Sequence, residues 1–464
     1  MRMMLWAVTV CLLGALLPTS HLSAQQRCAY LQVEGATATA VGVLWSHGFD
    51  DDEAKVAGLA RVLAACRLER VRRLVPKTLA TGMRIGSDYS LVFGVVAAGD
   101  AKLASQFLSA LLDGPSFASP PSSSPPSDAS SSSSSSNAQP SGDVLTDDVI
   151  ALAVARAALA ADDAEHVYPG DVLLRRARQH LGAGTVLARP PAGIAVRLAK
   201  LTPAVVRDAL RVEVPVRLAV LGVVNAAMIE VIARLEPKFE TRVRGDFVCS
   251  EVRSQREMSE DRNDRVDSPY VSAAFALPKN IDRAALAVGV QVATGRAFRR
   301  WRMRGMEQQA RAPFVAWSWL HADPLLRFCR RGENPARLLP GERPQALIPD
   351  EVRATKAELQ AFLQDLRSVP PSEMELGAAR ASLRSQLSMP GPGQKHAWAS
   401  EPATLPGRLQ VLLLAAHHGV DVARIDNVDA SQVHAALKSV LQAKRGSWHA
   451  LLPAHDNVFG YRRR

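Results

Sequence analysis

The chain is 464 residues long, which is more than one ordinary domain. Hydrophobic residues make up 47% of it, enough to form a core that folds without disulfides. It carries 56 basic against 45 acidic residues, a formal net charge of +11. Because this charge is rich in arginine and scattered over the whole length, it indicates a solvated surface and argues against a nucleic-acid-binding protein.

Residues 1–24 have the features of a secretory signal peptide. Arg2 gives a positive start, a short apolar run follows, and small residues at Ser23 and Ala24 suit a cleavage site. The run is too short to span a bilayer, and no later stretch is long and apolar enough, so the sequence predicts no transmembrane segment. We therefore expect a mature chain that begins near Gln25 and is exported, either to a periplasm or out of the cell.

A short segment near the mature N-terminus carries the most specific pattern. An apolar strand at 41–45 is followed by Gly48, an acidic turn at 50–53 and an amphipathic helix. The helix has the spacing of a buried stripe at Val56, Leu59, Ala60 and Leu63.

This order of elements resembles the start of the insulinase/pitrilysin family of zinc peptidases, the inverted zincins. In that family the helix reads Gly-Leu-Ala-His-x-x-Glu-His, whereas this chain reads Gly-Leu-Ala-Arg-Val-Leu-Ala-Ala over 58–65. Arg61, Ala64 and Ala65 thus stand at the positions of the first histidine, the glutamate and the second histidine.

The resemblance implies that the chemistry of the family is missing here. The two histidines would bind a catalytic zinc and the glutamate would activate its water, but alanine can do neither. An arginine about 4 Å from the metal would add a repulsion of at most roughly 8 kcal/mol. The third family ligand, a glutamate on a later helix, is expected within 150–161, where no carboxylate occurs. We therefore predict no catalytic residues, no cofactor and no bound zinc.

A weak internal repeat divides the chain into two halves. Residues 201–210 and 428–437 match at an offset of 227, each opening on a helix cap at Thr202 or Asp429. Each leads to an apolar strand, at 216–224 and at 448–452. With the family resemblance, this predicts an α+β fold of two homologous metallopeptidase-like α/β-sandwich domains in tandem, each an antiparallel-rich sheet packed with helices.

The predicted domains are 27–240 and 268–464, joined by a charged linker at 241–267. A Ser/Pro-rich insertion at 114–142 interrupts the first domain and is predicted to be disordered. The predicted second-half elements are a strand at 270–278, a long helix at 282–295 and a late helix at 374–387.

Three glycines are predicted to lie in turns. Gly82 and Gly86 are assigned to turns of a hairpin over 81–97, and Gly295 is assigned with Thr294 to a turn. The arginine-rich run at 296–304 after that turn is interpreted as a structural helix.

The mature cysteines are few and the histidines are scattered. An even count in an exported protein permits disulfides between Cys28, Cys66, Cys249 and Cys329, and the sequence does not choose among the three pairings. His47, at the end of the first strand beside Gly48, is a weak metal candidate. The neighbours His417 and His418 on a predicted helix are expected to diverge rather than to share a metal.

Our leading functional hypothesis is a non-peptidase homologue that acts as a peptide-binding or partner subunit. The family resemblance implies extended peptides as ligands and either a catalytic homologue or a second copy of the chain as partner. Two alternatives remain, namely an active zinc peptidase with relocated ligands and a stand-alone peptide-binding scaffold of the cell envelope.

Overall fold

The computed structural model describes residues 27–33, 36–112, 145–183, 185, 188–236, 239, 258–263, 266–302, 312–317, 324–333, 344–387, 405–418, 422–442 and 445–454. These residues form an α+β structure with two five-stranded sheets. The predicted signal peptide, the predicted insertion, Cys249 and most of the predicted linker lie outside the described residues.

The described strands are β1 (Cys28–Gln32), β2 (Ala38–Trp45), β3 (Ala80–Ile85), β4 (Ser90–Ala97), β5 (Pro215–Gly222), β6 (Ser259–Asn263), β7 (Tyr270–Ala276), β8 (Phe314–Ala316), β9 (Leu325–Arg331) and β10 (Gly446–Pro453). The described helices are α1 (Leu59–Leu74), α2 (Ala101–Leu112), α3 (Asp147–His166), α4 (Pro169–Leu181), α5 (Ala195–Leu198), α6 (Pro203–Val212), α7 (Ala226–Leu235), α8 (Arg283–Arg302), α9 (Pro344–Ser368), α10 (Glu373–Leu387), α11 (Leu405–His417) and α12 (Ala430–Val440).

The two sheets have the same topology, which confirms the predicted repeat. The first has the order β1-β5-β2-β4-β3 and the second β6-β10-β7-β9-β8, so each strand has a counterpart five places later in the chain. In both sheets only the first pairing is parallel. The repeated helices α6 and α12 begin at the predicted caps, since Thr202 accepts from the N–H of Val205 and Asp429 forms a capping box with Gln432.

Strand β2 is buried on both faces because α2 packs on one side of its sheet and α11 on the other. Val41, Val43 and Trp45 face the cluster beneath α1 and α2, whereas Ala40 and Leu44 face the opposite side. This alternation is the period of a strand, and it explains why the segment is a nearly continuous apolar run.

The two halves exchange one helix each. Helix α11 from the second half packs on β2, β4 and β5 of the first sheet, and α4 from the first half packs on β7 and β10 of the second. At the first of these contacts Leu409 and Leu413 lie over Gly42. Two halves that are consecutive in sequence are therefore interlocked in space, and we call the contact between α11 and the first sheet the seam.

Two predicted turns are wrong. Gly82 lies within β3, opposite Phe93, where the absence of a side chain leaves room for the phenyl ring. Thr294 and Gly295 lie inside α8, where Thr294 Oγ1 donates a 2.8 Å hydrogen bond to the carbonyl of Val290. The arginine-rich run continues this helix to Arg302, so its interpretation as a structural helix is confirmed over 296–302.

The predicted linker is also wrong over part of its length. Residues 259–263 form β6, a Ser-Glu-Asp-Arg-Asn edge strand that pairs in parallel with β10. Such a strand needs no apolar side chains, because backbone hydrogen bonds to one neighbour hold it in the sheet. Its charged sequence therefore gives no strand signal.

Cys28, Cys66 and Cys329 are free thiols. Burial raises the pKa of Cys66 to about 12, which makes it an unreactive core residue.

Among the described helices none has the length and hydropathy needed to cross a bilayer.

Candidate functional site

Helix α1 carries the three positions at which the family resemblance places zinc chemistry. Gly58, with a left-handed φ of 101°, precedes the helix, and its N–H donates to Asp52 at 2.7 Å. Ala64 is fully buried in the apolar cluster beneath the first sheet, and Ala65 is half-buried against α3 and α6. These two positions therefore serve packing.

Arg61 lies on the wall of a cavity of about 360 Å³ between α1, α3 and α4. Its Nε is buried and makes no hydrogen bond. Burial lowers the pKa of Arg61, an effect that the nearby carboxylate of Asp171 partly offsets. The side chain thus places a cation where a metal-binding histidine would stand in the family.

Helix α3, where a third ligand is expected, presents apolar residues to α1. Ile150, Ala153, Ala157 and Ala161 are buried against Leu59 and Leu63. The acidic residues of α3 at the cavity are Asp163 and Glu165, near the helix end, and Glu165 is paired with Arg175. Within the described part of 150–161, no carboxylate supplements Arg61, Ala64 and Ala65, so this set does not fit the ligand set of a zinc peptidase.

His47 belongs to a buried ion-pair network beside this helix. Its Nε2 lies 3.0 Å from Asp52 Oδ1, and its Nδ1 contacts Glu213, which also binds Arg67. Burial by itself would lower the pKa of His47, but the hydrogen bonds to Asp52 and Glu213 outweigh it and raise the pKa to about 10. A protonated imidazole with both nitrogens donating has no lone pair for a metal. Asp52 also caps α1, so the network fixes this helix to β2.

The expectation that His417 and His418 diverge is wrong. His417 is the last residue of α11 and His418 already lies in the following turn, so the helical geometry behind that expectation does not apply. Both side chains approach Asp88 of the β3–β4 turn, with His417 Nε2 at 3.4 Å and His418 Nδ1 at 3.6 Å from Asp88 Oδ2. Adjacent histidines are the only sequence signal of this cluster, because Asp88 is distant in the chain.

Comparison with solved structures shows the fold class. The inactive domain of a peptidase M16 from Pseudomonas fluorescens superposes with a TM-score of 0.64 at 12% identity, over 94% of this chain and 98% of that one. A chain of complex III2 from Candida albicans gives a TM-score of 0.62 at 12% identity, over 93% and 96% of the chains. The periplasmic protease PqqL from Escherichia coli gives 0.55 at 12% identity, covering 95% of this chain and 48% of that one. No protein-family model and no curated protein sequence matches this chain.

The chain therefore has the fold of the M16 peptidases, the insulinase/pitrilysin family, and an inactive M16 domain is among its structural neighbours. The resemblance carried by the α1 segment is confirmed at the level of the fold.

Proposed function

We propose that this protein is a non-catalytic M16 homologue that binds extended peptides and works together with a second chain. The observation that carries the proposal is the altered ligand face of α1. Arg61 brings a cation to the cavity wall, Ala64 lies in the core, and the facing part of α3 is apolar. A zinc ion with an activated water needs protein ligands and a base, and these positions supply neither.

The edge of the first sheet supports peptide binding. Strand β3 is the edge strand, paired on one side with β4, and Ile85 at its end lines the Arg61 cavity. The N–H of Gly86 donates to the carbonyl of Tyr89 at 2.9 Å. Because hydrogen-bonded pairs alternate along an antiparallel ladder, the N–H of Arg84 faces β4 and that of Met83 faces away. The outer edge of β3 can thus accept an added strand beside the cavity.

The lengths of the structural neighbours support a partner. This chain matches 48% of PqqL, a protease in which two such units form one polypeptide, and it also matches a chain of a multi-subunit complex. We infer that a second chain, either a catalytic homologue or another copy of this protein, supplies the opposite half. The signal-like N-terminus and the periplasmic neighbour favour export as the setting.

One experiment tests the peptide-binding part. Met83→Pro removes an outward-facing N–H from β3 without removing a bond to β4, and proline is tolerated on sheet edges in this orientation. Met83→Ala is the matched control, because it removes the same side chain and keeps the N–H. We expect fluorescein-labelled extended peptides to bind the wild type and the alanine variant and to bind the proline variant at least about 10-fold more weakly.

A second experiment tests the partner and the missing chemistry. Affinity purification of the full chain from its native host should recover a second M16-type chain or a second copy. A monomer that binds peptide but recovers no second chain would overturn the proposal in favour of the stand-alone peptide-binding scaffold. Chelator-sensitive peptide cleavage by the purified chain would overturn it in favour of a peptidase with relocated ligands.

A further inference from the structure

Asp88, His417 and His418 form a compact group at the seam, which we call the seam cluster. One oxygen of Asp88 and one nitrogen of each histidine all lie within 4.8 Å of one another. The cluster is separate from the Arg61 cavity, since none of its residues lines that cavity.

The fold holds Asp88 in place. Asp88 lies in the two-residue turn between β3 and β4, and the chain after β2 packs on this turn. The N–H of Phe49 donates to Gly86 O at 3.0 Å, and the N–H of Asp50 donates to Ser87 O at 2.8 Å. Gly48 permits this approach, because a Cβ atom there would come within 2.4 Å of the backbone of the turn.

Helix α11 delivers the two histidines from the other half of the chain. Its Leu409 and Leu413 pack on Gly42, and its Gln410 accepts a 3.0 Å hydrogen bond from Arg84. The helix ends at His417, next to the Asp88 turn. The rings of His417 and His418 lie 4.7 Å apart, and Tyr89 meets both of them edge to face. Both ends of the cluster are thus preorganised.

The buried ring of His417 calls for a bound partner. The side chains of His417, His418 and Asp88 are 0%, 6% and 6% exposed. Neither ring nitrogen of His417 makes a hydrogen bond, although buried polar groups normally have one. Nearby Asp50 adds a second carboxylate, whose Oδ2 is also buried without a hydrogen bond. The other oxygen of Asp50 is paired with Arg178. A cation at the cluster would satisfy His417 and relieve the repulsion between the carboxylates.

The distances suit a tetrahedral metal ion. With metal–nitrogen and metal–oxygen bonds of about 2.0–2.1 Å, the edge of a tetrahedron is about 3.3 Å. The separations of 3.4 Å and 3.6 Å between the histidine nitrogens and Asp88 Oδ2 are close to that edge. Two imidazoles and one carboxylate are a donor set that suits zinc.

We propose that Asp88, His417 and His418 bind a zinc ion that fastens α11 to the first sheet. The ion joins residues from the two halves of the chain, and a water molecule or the second oxygen of Asp88 completes its coordination. Because the three side chains are almost fully buried, the role of this ion is structural.

Zinc titration of chelator-treated full-length protein tests the proposal. We expect one Zn²⁺ per chain in the wild type, with a rise in Tm on binding. Asp88→Asn and His417→Gln each remove a ligand, and either should weaken zinc affinity at least about 100-fold. His166→Gln is the control, because the exposed side chain of His166 bonds only Asp162 of α3 among the described residues, and the variant should bind zinc as the wild type does.

Cobalt spectroscopy keeps the test decisive if a variant folds poorly. Co²⁺ at this site should give the intense visible bands of a tetrahedral complex in the wild type and in His166→Gln. A wild type that takes up no zinc, or full zinc binding retained by folded Asp88→Asn and His417→Gln, would overturn the proposal.

Discussion

Gly42 on β2 lies directly beneath Leu409 on α11, so close that a Cβ atom at position 42 would approach Leu409 Cδ2 to 2.8 Å. Leu413 lies 3.2 Å from the same point. The two halves of the chain therefore meet at a position where only glycine fits without a shift. This contact sets the height of α11 above the first sheet and, with it, the position of His417.

We expect Gly42→Val to destabilise the protein through the seam. Overpacking of a buried contact costs about 1–3 kcal/mol, and fully buried Leu409 has little room to move. Gly170→Ala is the control, since no heavy atom lies within 4 Å of a Cβ atom there. Urea unfolding should show a lower midpoint for Gly42→Val and an equal or higher one for Gly170→Ala. Equal midpoints for Gly42→Val and the wild type would show that α11 does not pack on β2 this closely.

Restoring the helix motif alone should not restore peptidase activity. The triple variant Arg61→His, Ala64→Glu, Ala65→His regains two zinc ligands and the base but not the third ligand. Ala64 is also fully buried, so a glutamate there carries a desolvation cost that lowers stability. We expect near-background peptide cleavage and a lower Tm, measured with a fluorogenic peptide and by thermal unfolding.

Adding Ala161→Glu to the triple variant provides a positive comparison. Ala161 lies on α3 and lines the same cavity as Arg61, so a carboxylate there can reach the restored histidines. Zinc affinity at the restored α1 site, measured as binding of a Zn²⁺ ion beyond the one expected at the seam cluster, should be higher in the quadruple than in the triple variant. Efficient cleavage by the triple variant would contradict the idea that the third ligand is decisive.

Glu375 on α10 and Arg296 on α8 form a bidentate ion pair, which gives the arginine-rich helix a structural role. Arg296 Nε and Nη2 donate to the two carboxylate oxygens at 3.0 Å and 2.9 Å, and the guanidinium also reaches the carbonyls of Val369 and Pro370. The hydrogen bonds from Arg296 lower the pKa of Glu375 to about 2. A lysine cannot reproduce this fork, so Arg296→Lys should cost about 2 kcal/mol, the scale of charged hydrogen bonds.

The pH dependence gives a second measurement on the same pair. The pKa of Glu375 in the folded state lies below the usual value of 4.5. Its contribution to the free energy of unfolding is therefore complete above pH 4.5 and is lost as the pH falls toward 2. Urea unfolding at several pH values should therefore show the difference between wild type and Arg296→Lys shrinking in that range. A difference that stays constant from pH 6 to pH 2 would contradict the role of this ion pair.

Local signals in the sequence were sufficient to predict the helices and strands of the internal repeat. The caps at Thr202 and Asp429 and the apolar runs after them predicted α6, β5, α12 and β10, because capping and periodicity act over a few residues. The altered motif on α1 could also be identified from the sequence, since Arg61, Ala64 and Ala65 lie within one and a half turns of a helix.

Contacts between distant segments could not be predicted. The exchange of α4 and α11 depends on which sheet each apolar helix covers, and an apolar stripe does not specify its partner. The approach of Asp88 to His417 follows from that exchange. Strand β6 could not be predicted for a related reason. The hydrogen bonds that hold its polar residues in the sheet come from β10, nearly two hundred residues later.

Because of His47, the stability of the protein should fall as the pH rises through the alkaline range. Its folded pKa of about 10 lies above the usual 6.5, so protonation favours the folded state. The contribution of protonated His47 to the free energy of unfolding is complete below pH 6.5 and is lost as the pH rises through 10.

His47→Ala leaves Asp52 and Glu213 without their shared cation, and we expect it to lower the free energy of unfolding by about 3 kcal/mol near pH 6. The free energies of unfolding of wild type and variant should converge between pH 7 and pH 10. His434→Ala is the control, because among the described residues the side chain of His434 bonds only the backbone carbonyl of Arg367. If the His47→Ala difference persisted unchanged at pH 10, His47 would not be the protonated centre of the network that ties α1 to β2.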